Sequence, residues 1–109
     1  SGGGGTSLYI GLGNPDLFAW VCGYAPGMRP EEFERNNAVP FANPQLTNSR
    51  LKLFWLGCGT EDMVYKTLQQ YVKVLDEKNI KYQTFYPDGG HTWMNCKKFL
   101  NESAQLLFK

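Results

Sequence analysis

Apolar residues recur along this chain in short blocks, separated by stretches rich in Gly, Pro and Asn, and the period changes from block to block. Leu8, Tyr9 and Leu12 fall at helical spacing and stop at Gly13-Asn14-Pro15, which predicts a short opening helix. Leu17 to Cys22 is a continuous apolar run bounded by Pro15 and Gly23, and predicts a strand covered on both faces. From Tyr24 to Arg50 the chain is dominated by Pro, Asn and Gly. One short helix is predicted there, Glu31 to Asn36, with Pro30 suited to its first turn, and the rest reads as loop. Leu51 to Leu56 predicts a second buried strand, closed by Gly57-Cys58-Gly59. Between Met63 and Lys78 the period is clearly helical: Val64, Leu68, Tyr71, Val72 and Leu75 share a face, and Lys66, Lys73, Asp76 and Glu77 sit mostly off it. Lys81 to Tyr86 predicts a third strand, stopped by Pro87-Asp88-Gly89-Gly90. A last helix is predicted over Trp93 to Phe108, with Phe99, Leu100 and Leu107 inward.

Strands alternating with helices imply an α/β unit with a parallel sheet, here a single domain over residues 1–109. Three parallel strands leave at least one open edge. On the first strand that edge would expose the backbone of Phe18, Trp20 and Val21, an association hazard unless something covers it. The expectation is a chain that is not a complete monomer of its fold, and a homo-oligomer joined through this edge.

Composition narrows the partners. With 11 basic and 10 acidic residues and no dense basic run, the chain lacks the charge for phosphate-driven nucleic-acid binding. No apolar stretch approaches the ~20 residues of a membrane span. Cys22, Cys58 and Cys96 are odd in number and widely spaced, so they read as small buried hydrophobes rather than a disulfide framework. There is no Cys-x-x-Cys and only one histidine, which argues against a metal site. Gly11-x-Gly13 lacks the third glycine and the preceding strand of a dinucleotide site, and no phosphate loop is present, so no cofactor is expected.

Candidate chemistry collects at strand ends. His91 follows Gly89-Gly90 just beyond the third predicted strand, and Asp62 follows the second. Alone, His91 reads as a loop histidine and Asp62 as a carboxylate at a helix N-terminus. Successive strands of a parallel sheet end on the same side, however, so the two are expected to converge. Ser1 stands before four glycines and a helical stretch, either as a linker remnant or as a serine on the sharp turn of a nucleophile elbow. The order Ser1, Asp62, His91 is that of α/β-hydrolase triads.

The segment Ser1-Gly-Gly-Gly-Gly-Thr-Ser-Leu-Tyr-Ile-Gly-Leu12 resembles the elbow and following helix of one branch of the α/β hydrolases. That branch includes feruloyl and acetyl-xylan esterases and S-formylglutathione hydrolase. The resemblance extends through Asp16-Leu17-Phe18-Ala19, Cys58-Gly59-Thr60-Glu61-Asp62 and Gly89-Gly90-His91, in family order and over essentially the whole chain. It implies the C-terminal part of that fold, a partial sheet of about three parallel strands lacking the N-terminal half. It also implies Ser1 as nucleophile, His91 as general base, Asp62 as orienting acid and the Gly2 N–H as an oxyanion donor, acting on short-chain, aryl or carbohydrate esters. Tyr24, Phe41, Tyr65 and Trp93 are then candidates to line an aromatic-accepting site. The sequence departs from the family at Gly2, where a methionine is usual, and in the absence of the Gly-x that precedes the serine. The rival reading is a non-catalytic fragment that folds by self-association or by pairing with a missing half, its aromatic residues serving an interface.

Overall fold

The structure, a computed structural model, describes residues 1–109. In chain order it comprises α1 (Gly2–Gly13), β1 (Trp20–Tyr24), α2 (Pro30–Asn36), α3 (Ala38–Ala42), α4 (Pro44–Arg50), β2 (Leu53–Gly57), α5 (Tyr65–Glu77), β3 (Gln83–Phe85) and α6 (Trp93–Ala104). The three strands form one parallel sheet in the order β1-β2-β3. Leu53, Phe54, Trp55, Leu56 and Gly57 are all buried because β2 is the central strand and helices cover both faces.

The pleat decides which side chain goes to which layer. Val21 lies against Gly11 of α1, and Leu8 of α1 lies against Gly23. On the opposite face Phe99 of α6 packs among Tyr24, Trp55 and Phe85, with ring centroids 5.7, 6.1 and 6.4 Å away. Beside α1, Tyr71 of α5 stacks on Phe33 of α2 at 4.5 Å, and the Met28 N–H donates to the Tyr71 hydroxyl at 2.8 Å.

Four glycines at the start of α1 oppose helix formation, each by about 1 kcal/mol relative to Ala. Tertiary packing supplies the reason for at least one of them. A Cβ on Gly4 would lie 2.7 Å from the Tyr24 carbonyl oxygen and 2.9 Å from Pro26 Cα, so only glycine lets the helix backbone settle on the end of β1.

Four expectations are corrected. The first strand begins at Trp20, not Leu17, and is only alternately buried. Leu17 and Phe18 are exposed on a turn in which the Leu17 and Phe18 N–H groups both donate to the Asn14 carbonyl at 3.0 Å. Gly23, read as a strand terminator, lies inside β1 because Leu8 occupies the space a side chain would need. The segment read as loop after Asn36 holds two further helices. Asn43 caps α4 by accepting from the Leu46 N–H at 3.2 Å, Pro44 takes its first position, and Phe41 of α3 buries against Phe33 at 5.5 Å. The last helix ends at Ala104, and Leu100, expected inward, faces out while Phe99 and Ser103 are buried.

β1 keeps one edge free. The Ala25 N–H donates to the Gly57 carbonyl at 2.7 Å and the Leu53 N–H to the Ala19 carbonyl at 3.2 Å, so the odd-numbered residues bond to β2. Alternation then leaves the main-chain groups of Trp20, Cys22 and Tyr24 at the open edge. A groove of about 450 Å³ runs beside it, lined by Ile10, Phe18, Trp20, Cys22 and Leu107 among others.

Candidate active site

The C-terminal ends of all three strands meet at a cavity of about 330 Å³. Ser1, Tyr24, Asp62, His91 and Trp93 all line it. Each arrives from a different element, as the parallel topology requires. Ser1 stands at the position just before α1, Tyr24 closes β1, Asp62 sits on the turn after β2, and His91 sits on the turn after β3.

His91 Nδ1 lies 2.8 Å from Asp62 Oδ2. A carboxylate can only accept, so Nδ1 carries the hydrogen and Nε2 is left as the basic nitrogen. The Asp62 side chain is 1% exposed and that of His91 32%. Burying a carboxylate is costly unless its oxygens are satisfied, and here Oδ1 also accepts from the Val64 N–H at 2.9 Å. Local chain geometry thus anchors the acid, while the ring stays reachable from the cavity.

The two turns that carry Asp62 and His91 are bonded to each other. The Thr60 N–H donates to the Pro87 carbonyl at 2.9 Å and the Glu61 N–H to the Gly89 carbonyl at 3.0 Å. Gly59 makes this possible: a Cβ there would run into the Gly89 carbonyl oxygen and lie 2.5 Å from Asn95 Nδ2. Gly89 itself has φ +96°, a conformation that side chains disfavour.

Ser1 is held from two directions, its carbonyl accepting from the Gly5 N–H at 3.1 Å and the Gly27 N–H at 2.9 Å. Its hydroxyl makes no capping bond to the helix. Gly2 follows as the first residue of α1, where main-chain N–H groups have no partner within the helix and favour negative charge. Of the four aromatic candidates, two line the cavity. Trp93 is 84% exposed at its rim, and Tyr24 forms part of its wall with its hydroxyl 2.5 Å from Ser103 Oγ. Phe41 lies in the core, and Tyr65 packs edge-on against Tyr86 at 5.3 Å; neither lines the cavity, because α3 and the start of α5 direct them elsewhere.

Two solved structures share this architecture. One is a ferulic acid esterase, matched at TM-score 0.76 and 18% identity over 98% of this chain and 49% of that one. The other is S-formylglutathione hydrolase from Staphylococcus aureus, in its apoenzyme form, at TM-score 0.73 and 15% identity over 97% and 48%. The fold is half of an α/β hydrolase. The chain spans about half the length of these two proteins. The sequence itself matches no family model and no curated protein.

Within this fold, sequence reasoning passed over Ala25, Gly90, Thr92, Cys96 and Phe99 as cavity residues. Thr92 was legible as a helix cap three residues before a buried Asn95, whose N–H donates to Thr92 Oγ1 at 3.2 Å. Ala25 was not: it adopts φ +43°, and nothing in its residue type announces a left-handed conformation. No three His, Cys, Asp or Glu side chains come together as a metal-holding group, and no helix is long and apolar enough to cross a membrane.

Cys58 is buried beneath the site, and burial first, with the Asp62 charge second, pushes its thiol up from 9.0 to about 12. Burial likewise takes the Tyr71 hydroxyl from 10.0 to about 12. Both groups bind their protons more tightly folded than unfolded. Their contribution to stability is therefore complete below about pH 9 and is lost as pH rises toward 12. The thermal midpoint is expected to fall above pH 9, and Cys58→Ala should flatten the first part of that fall. A midpoint unchanged to pH 11 in the parent protein would contradict this.

Proposed function

We propose that the protein is a serine carboxylesterase acting on short-chain or aryl esters of the acetyl or feruloyl kind, carried on a small molecule or a carbohydrate. The single observation that carries this reading is the lining of one cavity by Ser1, Asp62 and His91, with His91 Nδ1 2.8 Å from the buried carboxylate. In the proposed reaction, Ser1 Oγ attacks the ester carbonyl while its proton passes to His91 Nε2. Asp62 holds the tautomer and stabilises the imidazolium. The negative charge on the tetrahedral oxygen falls to the Gly2 N–H. His91 then returns the proton to the departing alcohol, leaving an acyl-Ser1, and water repeats the sequence to release the acid. Tyr24 and the exposed Trp93 ring supply an aromatic wall and rim for an aryl acyl group. A purely associative fragment has no use for a buried carboxylate bonded to the chain's one histidine, since such pairs contribute little net stability.

The test is intact mass after exposure to a fluorophosphonate ester, with the adduct mapped to a peptide. One adduct per chain on Ser1 is expected. Folded protein that takes up none would overturn the assignment.

We further propose that the working form is a homo-oligomer closed through the free edge of β1. Unpaired main-chain groups beside an apolar groove are a ready surface for strand addition. Phe18 lines that groove and is 43% exposed, so Phe18→Lys leaves the core intact while placing a charge at the joint. By sedimentation, the parent chain is expected to associate and Phe18→Lys to remain monomeric. A parent chain that is monomeric and folded at every concentration would rule this arrangement out.

A further inference from the structure

We infer that Asn95 is a positioning residue for His91, its buried carboxamide clamping the turn that carries the imidazole. Only the kinetic arm of the test below rests on the esterase reading. Asn95 lies in the first turn of α6 and is 3% exposed. An amide so deeply buried must be used, and α6 does not need it, because Thr92 already caps the helix through the Asn95 main-chain N–H. Both uses of its side chain fall on the turn before His91: Nδ2 donates to the Asp88 carbonyl at 3.1 Å and to the Gly90 carbonyl at 3.0 Å.

The main-chain acceptors of that turn are accounted for one by one. The Pro87 carbonyl is taken by the Thr60 N–H, that of Asp88 by Asn95, that of Gly89 by the Glu61 N–H, and that of Gly90 by Asn95. Four consecutive carbonyls are thus held, alternately, by the turn bearing Asp62 and by Asn95. Glu61 Oε1 adds a bond from the Gly89 N–H at 3.3 Å. A segment with φ +96° at Gly89 has no regular structure to keep it in place. Removing Asn95 frees two of the four carbonyls, including the one directly before His91, and the imidazole loses its fixed reach toward Asp62. No charge is involved, so Asn95 acts through geometry alone.

His91 is the only histidine, so its ring nitrogens can be observed without ambiguity by ¹⁵N-detected NMR. In the parent protein the Nδ1–H shared with Asp62 is expected as a single protected resonance. In Asn95→Ala it should exchange with water at least about ten-fold faster, while amide signals of β2 and α5 stay in place. Ester hydrolysis should lose on the order of 100-fold in kcat with KM little changed, the signature of a misplaced catalytic group. Asn95→Ser keeps one donor and should give an intermediate exchange rate, and it serves in place of Asn95→Ala should that variant not fold. An Nδ1–H as protected in the folded variants as in the parent overturns the inference. If Ser1→Ala hydrolyses esters as well as the parent, the esterase reading falls, and the exchange measurement still decides the role of Asn95.

Discussion

If the proposed esterase reading holds, His91→Ala is expected to abolish fluorophosphonate labelling of Ser1 and to cut ester hydrolysis by about a million-fold relative to the parent protein, the loss seen when a serine hydrolase is deprived of its base. The argument is one of elimination and geometry together. No second imidazole exists in the chain to take over, and His91 lines the same cavity as Ser1. Asp62→Asn should be milder, at about ten-thousand-fold. Asparagine keeps the shape and can still accept from the Val64 N–H. It removes the charge, however, and with it the preference for hydrogen on Nδ1 that leaves Nε2 free. The order of severity is itself diagnostic, since a histidine with a purely structural role would give no labelling difference at all. Peptide-mapped labelling and initial rates on a short-chain aryl ester measure both effects. Labelling of Ser1 at parental rate in His91→Ala would remove the base from the mechanism.

Gly59→Ala is expected to destabilise the protein by about 3 kcal/mol, at the upper end of what an overpacked site costs. The obstruction is backbone and a clamped amide rather than a flexible side chain. The added methyl would run into the Gly89 carbonyl, with Asn95 Nδ2 2.5 Å away, so the two turns must separate. Separation breaks the bonds from Thr60 and Glu61 to Pro87 and Gly89, and moves His91 away from Asp62. Denaturant unfolding should show a lower midpoint, and any protein that remains folded should label at Ser1 more slowly than the parent. An unchanged midpoint would mean that the turns are not in the contact described. Alanine at Gly2 makes a useful contrast, because nothing lies within 4 Å of its missing Cβ and little loss of stability is expected there.

The candidate site was largely legible before the structure because its residues sit next to strong local signals. Asp62 and His91 both follow a short apolar run and a glycine turn, and parallel strands send their ends to one side whatever the details of packing. The aromatic candidates were less tractable. Trp93 and Tyr24 line the cavity, whereas Phe41 and Tyr65 pack elsewhere, and ring chemistry alone does not distinguish a wall from a core. The helices α3 and α4 were hidden by their own composition. Asn37, Asn43 and the prolines at 40 and 44 look like loop residues, yet Asn43-Pro44 is also a sound helix start.

By itself, the sequence determined the order and kind of most elements, the parallel sheet, and the positions of Asp62 and His91 just past strand ends. Those features follow from periodicity and turn chemistry within a dozen residues. Tertiary structure alone decided the limits of β1, which starts only after the exposed Leu17 and Phe18 and runs on through Gly23, where Leu8 fills the space of a side chain. It alone gave the reason for glycine at position 4 of the opening helix, where a Cβ would lie 2.7 Å from the Tyr24 carbonyl oxygen. It likewise gave Asn95 two carbonyls to hold and Gly59 a neighbour it cannot crowd. The close approaches at Gly4, Gly23 and Gly59 join residues far apart in the chain, and even the Asn95 bonds, to carbonyls five and seven residues back, need the turn between them folded; the free energy of a close approach or a buried hydrogen bond appears only once both partners are in place.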